Sequence, residues 1–79
     1  MDKQEVTDKL TGFLKRALAN KDADIKPAVD FKDLGLNSSG RLELFTMIED
    51  EWDLMLDEDD TDEVNTLNQA VELTMKSIS

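Results

Sequence analysis

The chain contains no cysteine and no histidine. Without cysteine there is no disulfide framework, no thiol nucleophile and no sulfur-ligated metal. Without histidine the usual general base near neutral pH and the commonest metal ligand are both missing. Long apolar runs are absent too, so nothing here reads as a membrane span. The start, Met1-Asp2-Lys3-Gln4-Glu5, lacks the basic-then-apolar order of a signal peptide. Seventy-nine residues with 39% hydrophobic content suffice for one small core and leave little room for a substrate cavity. A cytoplasmic, monomeric domain that does not insert into membranes is the expectation, and a self-contained enzyme is disfavoured.

Basic residues are scarce, and unevenly so. Nineteen acids against nine bases give a net charge of −10. Met1 to Arg41 carries seven acids and eight bases, a sum of +1, whereas Leu42 to Ser79 carries twelve acids and Lys76 alone, a sum of −11. Nucleic acid is disfavoured as a partner, because phosphate binding rests on Lys and Arg releasing counterions. The same field steers the chain toward basic protein surfaces. Solubility alone would explain a negative total, but not its concentration in one half.

Apolar residues at Val6, Leu10, Phe13, Leu14, Ala17 and Leu18 recur at helical spacing between Lys3 and Ala19. Asp2 and Glu5 form an approximate capping box at the start of that helix. Asn20 to Leu36 breaks the pattern with Asn20, Asp22, Asp24, Pro27, Asp30 and Gly35. It still holds Ile25, Val29, Phe31, Leu34 and Leu36, so it reads as a loop pinned to the core with a short turn at Phe31–Leu34. A second helix is expected from Asn37 to Trp52, with Leu44, Met47, Ile48 and Glu51 on one stripe and Phe45 and Trp52 at its edge. Leu54, Met55 and Leu56 read as a short buried tie. Asp57 to Val64 is acidic, with at most one helical turn around Thr61–Val64. Thr66-Leu67-Asn68-Gln69 is a capping box opening a last helix, with Leu67, Ala70, Val71, Met75 and Ile78 on one face. No stretch alternates as a half-buried strand does. The fold class is all-α: three main helices, a short one before the last, and a long first loop.

Several features that suggest chemistry have plainer explanations. Asp57, Asp59 and Thr61 follow EF-hand spacing, but Asp62 stands where that loop needs glycine and Asn68 where it needs a bidentate glutamate. No metal site is expected. Glu49, Asp50, Glu51 and Asp53 point in different directions around a helix and cannot converge on one atom as catalytic carboxylates do. Met47, Met55, Met75 and Trp52 are most simply packing residues.

The most informative stretch is Asp33-Leu34-Gly35-Leu36-Asn37-Ser38-Ser39-Gly40-Arg41-Leu42-Glu43-Leu44. Asn37 is the better N-cap, which places Ser38 first in the helix with its hydroxyl in solvent. A phosphate ester there would lie beside free amides and the positive end of the macrodipole. The chain resembles the acyl carrier proteins, a family marked by Asp-Leu-Gly-x-Asp-Ser-Leu, an apolar-Glu-Leu step, a run of acids and an aromatic residue. Here those features are Asp33-Leu34-Gly35-Leu36-Asn37-Ser38, Leu42-Glu43-Leu44 and Glu49-Asp50-Glu51-Trp52-Asp53, and the resemblance extends over the whole chain.

That resemblance implies a four-helix bundle in which residues 1–79 form one carrier domain, with 4′-phosphopantetheine held covalently on Ser38. The arm's thiol, drawn from coenzyme A, would carry acyl intermediates as thioesters, and the chain itself would not be an enzyme. Implied partners are a phosphopantetheinyl transferase and acyl-loading and acyl-processing enzymes with basic docking surfaces. Leu42, Glu43, Thr46, Glu49, Asp50 and Glu51 match the positions that the family offers to them. The chain departs from the pattern where Asn37 replaces Asp, Ser39 replaces Leu and Asp57 stands where Pro is common. Gly40 and Arg41 are expected to weaken the helix start, Arg41 by placing a cation at the dipole's positive end. These departures point away from general fatty-acid synthesis and toward a specialised polyketide or modified fatty-acyl pathway. An aminoacyl or peptidyl carrier, or an unmodified acidic adaptor binding a basic partner through Leu42–Asp53, are the alternatives.

Overall fold

A computed structural model describes residues 2–18 and 24–78. Its helices are α1 (Lys3–Ala17), α2 (Phe31–Leu34), α3 (Ser38–Trp52), α4 (Glu58–Asp62) and α5 (Leu67–Ile78). The described residues hold no strand, only an isolated bridge between Asp30 and Thr66. This is the all-α, carrier-like bundle that the sequence leads one to expect, with the turn at Phe31–Leu34 realised as a fifth, one-turn helix.

Helix α1 packs against both α3 and α5. Its stripe of Val6, Leu10 and Leu14 is buried, as is Leu18 just beyond its end, facing Leu44, Phe45 and Ile48 of α3 and Leu67, Ala70 and Val71 of α5. Phe13 lies at the rim, edge-on to Trp52 with ring centroids 6.3 Å apart. The helix stops at Ala17, two residues short of the Ala19 to which the expected stretch runs, because Leu18 turns extended. Ala19, Asn20 and Asp22 lie outside the described residues.

The long loop is held by backbone bonds as well as by side chains. Phe31 N–H donates to Asn65 O at 2.7 Å, and Asn68 N–H donates to Pro27 O at 3.0 Å. Two short backbone contacts therefore lash the loop to the start of α5, while Phe31 and Leu36 enter the core. The box at Thr66 and Gln69 forms in both directions: Gln69 N–H donates to Thr66 Oγ1, and Thr66 N–H to Gln69 Oε1. Within α5 the fully buried polar residue is Thr74, whose hydroxyl donates to Ala70 O at 2.8 Å. Back-bonding of this kind lets a threonine replace an apolar residue in the core.

Two expectations need correction. Met55 is not part of a buried tie but is 95% exposed. Residues 54–56 are not helical, so consecutive side chains point to opposite sides: Leu54 and Leu56 pack on the core and Met55 faces out. The acidic helical turn also falls earlier than Thr61–Val64, at Glu58–Asp62. Glu58, Asp59 and Asp60 occupy its first turn, where the dipole favours negative charge, and Val64 follows as a core anchor.

Candidate functional site

Ser38 owes its position to the residues on either side of it. Gly35 takes the left-handed conformation that ends α2, with φ +92°, a region that costs a side chain dearly. Leu36 then drops into the core and Asn37 turns extended, its Oδ1 accepting from Gly40 N–H at 2.7 Å. This is an N-cap, as the sequence implies, and it makes Ser38 the first helical residue. With Leu36 and Gly40 buried, the three residues between them are exposed, Ser38 included.

Gly40 has a role that sequence reasoning missed. A Cβ built there would lie 2.5 Å from Leu36 Cδ1 and 3.1 Å from Ala17 O. Glycine lets the first turn of α3 seat against the end of α1, so it secures the helix start rather than weakening it. Arg41 is corrected in the same way. Its guanidinium stands 5.8 Å from the Phe31 ring centroid and 5.7 Å from that of Phe45, and Nη2 donates to Thr61 O at 2.8 Å. The cation thus sits at the negative end of α4, which offsets its unfavourable place near the positive end of α3. The only signal available in the sequence was its spacing of three from Ser38, which places both on one side of the helix.

Ser38, Arg41, Leu42, Phe45, Glu58, Thr61 and Asp62 line an open cleft of ≈ 300 Å³ between α3 and α4. Leu42 is 71% exposed on its rim. Glu43, Thr46 and Asp50 are exposed further along the helix, with Thr46 Oγ1 donating to Leu42 O. The other two expected docking acids have internal contacts. Glu49 is half-buried, and its Oε2 accepts from Leu56 N–H at 3.1 Å. Glu51 pairs with Lys9 of α1 at 3.0 Å. Along α3 from Ser38, the exposed residues of the expected set without such a contact are therefore Leu42, Glu43, Thr46 and Asp50, while Glu51 is exposed but paired. Among the described residues no group of three or more acidic side chains is arranged to hold a metal ion, and no helix is long and apolar enough to cross a membrane.

The Ser38 hydroxyl is exposed at the start of a helix, and none of the described residues donates to it or accepts from it as a triad base would. A phosphodiester fits there: the first amides of a helix have no intrahelical acceptor, and the cap leaves the serine side chain in solvent. Comparison with known proteins agrees. The family model described as phosphopantetheine attachment site matches residues 8–74. The chain belongs to that family, whose prosthetic group is 4′-phosphopantetheine. It is 29% identical over 77 residues to proteins named acyl carrier protein from Chlorobium phaeovibrioides and Chlorobium luteolum, covering 96% of this chain and 99% of each relative. A protein of the same name from Cyanidioschyzon merolae is also 29% identical, with 85% of its length covered. The resemblance to acyl carrier proteins is thus borne out.

Proposed function

We propose that this chain is a free-standing acyl carrier protein that bears 4′-phosphopantetheine on Ser38 and works in a specialised pathway of polyketide or modified fatty-acyl assembly. The observation that carries the reading is the exposed Ser38 at the first position of α3, capped by Asn37 and bracketed by two buried residues. In loading, the Ser38 oxygen bonds to the phosphorus of coenzyme A that bears the pantetheine. The bond to the adenosine-bearing phosphate breaks, 3′,5′-ADP leaves, and the serine proton passes to the transferase or solvent. When bound, the group supplies a thiol that holds the acyl cargo as a thioester.

The chain's own residues then present that thiol. Asn37 and Gly40 keep the attachment point at a fixed helix end, while Leu42, Glu43, Thr46 and Asp50 form the face for basic partner enzymes. Catalysis belongs to those partners. The departures at Asn37, Ser39 and Arg41 support a dedicated set of them, because they alter the residues next to the arm. Monomeric behaviour and a cytoplasmic setting belong to the same reading.

Intact mass after incubation with a phosphopantetheinyl transferase and coenzyme A tests it. Wild type and Ser39→Ala should each gain one phosphopantetheine, and Ser38→Ala none. An arm that persists in Ser38→Ala and disappears in Ser39→Ala would move the site by one residue. No arm on any variant with several competent transferases would favour an unmodified acidic adaptor.

A further inference from the structure

Arg41 lies at the edge of the aromatic core, on the cleft that Ser38 shares. It lines the same cleft as Ser38, its guanidinium lies against both Phe31 and Phe45, and it is bonded across the cleft to the last turn of α4. Phe31 is 1% and Phe45 7% exposed, so the apolar interior begins directly behind the guanidinium. Thr61 O also accepts from Val64 N–H at 3.2 Å, which ties the Arg41 contact to the segment that anchors α4 in the core. Arg41 is the sole basic residue from Asp33 to Met75, so among the described residues near the cleft nothing else makes this bridge. Glu58 and Asp62 line the same cleft and give its α4 wall an acidic character.

We infer that Arg41 is a gate: it fastens α4 to α3 and bars an acyl chain on Ser38 from the core, so that cargo is presented outside the bundle. This rests on the carrier reading above. An apolar chain could enter only by displacing a guanidinium from two rings and from its acceptor, leaving Thr61 O with one donor fewer. The cleft that remains outside the gate is open and partly acidic, which suits short or polar acyl groups and gives long alkyl chains nothing to bury against. Arg41 is therefore a specificity-determining residue, acting through the path it closes.

The test is to load wild type, Arg41→Ala and Arg41→Met with acetyl, hexanoyl and decanoyl pantetheine, using a transferase and the matching acyl-coenzyme A. Mass spectrometry reports loading; thermal midpoint and the rate of thioester release by hydroxylamine are then measured. Wild type should show the same midpoint and the same release rate for all three chains. In the alanine variant the decanoyl thioester should raise the midpoint and be released at least about tenfold more slowly than the acetyl, since each buried methylene adds protection. Arg41→Met, which keeps the volume but not the bonds, should behave as the alanine variant does and replaces it should that one not fold. Slower release of decanoyl in wild type, or variants as insensitive to chain length as wild type, would overturn the gate while leaving the carrier intact. Failure to load any chain on Ser38 would overturn both.

Discussion

The two ends of α3 are built on opposite principles. Its first turns hold no acidic residue until Glu43 and are fixed by close contact: Asn37 caps, Gly40 lets α1 approach, and Arg41 clamps α4. Its last turn holds Glu49, Asp50 and Glu51 and no base, charges that the helix dipole disfavours there. That end is held by bonds reaching in from elsewhere, from Leu56 N–H to Glu49 and from Lys9 to Glu51. Asp53 then ends the helix in the left-handed conformation, with φ 53°, which Asp tolerates better than most residues. One end is tuned for fixed geometry around a serine, and the other carries charge at some cost in stability. Substitutions at the first end should therefore act through packing, and those at the second through electrostatics.

The largest effect should come from Gly40→Ala. Alanine is the better helix former by about 1 kcal/mol. Here its methyl must displace Leu36, itself buried, and press on the Ala17 carbonyl. Overpacking of this kind costs about 1–3 kcal/mol, so the net change should be destabilising. For a chain of this size each kcal/mol lowers the thermal midpoint by about 4–8 °C. A midpoint at or above that of wild type would mean that propensity outweighs the clash and that the first end is less tightly packed than described.

Asn37→Ala comes next. It leaves Gly40 N–H without its acceptor and should cost about 1 kcal/mol, within a range of about 0.5–2. Asn37→Asp keeps the cap and adds a charge where the dipole favours one, so it should stabilise by about 0.3–1 kcal/mol. Urea denaturation distinguishes the pair. Equal stability of the two variants would remove the cap from the account.

What could be read in advance, and what could not, follows the same division. Asn37, Thr66 with Gln69, and Asp2 before Glu5 were legible because a cap is a contract among residues within one helical turn. The stripes of α1 and α5 were legible because period is a local property. Gly40, Arg41 and Glu49 were misjudged or left undifferentiated because their partners lie elsewhere: Ala17 on α1, Thr61 on α4, Leu56 beyond the helix end. Met55 was misplaced because its side chain is apolar and its outward placement depends on the non-helical segment after α3. Ser38, by contrast, could be located from the cap and the glycine before it, although what it carries came from resemblance.

At the acidic end, Glu49 offers a contrast of sign. Glu49→Ala removes the acceptor of a half-buried amide and should destabilise by about 1 kcal/mol. Glu49→Gln keeps an oxygen for Leu56 N–H and removes a charge the dipole disfavours, so it should be neutral or slightly stabilising. If glutamine proves as damaging as alanine, the carboxylate acts through its charge and the bond to Leu56 is incidental.

The smallest effect should be the coupling between Lys9 and Glu51, whose side chains are 43% and 37% exposed. A pair so solvated contributes about 0.2–1 kcal/mol, less as salt is added. Salt should nevertheless raise the thermal midpoint of the wild-type chain, because it screens the eleven excess negative charges that follow Arg41. A double-mutant cycle with Lys9→Ala and Glu51→Ala at low and high ionic strength separates the two: the coupling shrinks while the midpoint climbs, and millimolar divalent cation should strengthen the climb. Opposed signs in one titration would show that the local pair opposes a repulsion spread over the whole acidic half. A midpoint indifferent to both salt and divalent cation would mean that those carboxylates lie too far apart to strain the fold, and that the last turn of α3 is held no differently from the first.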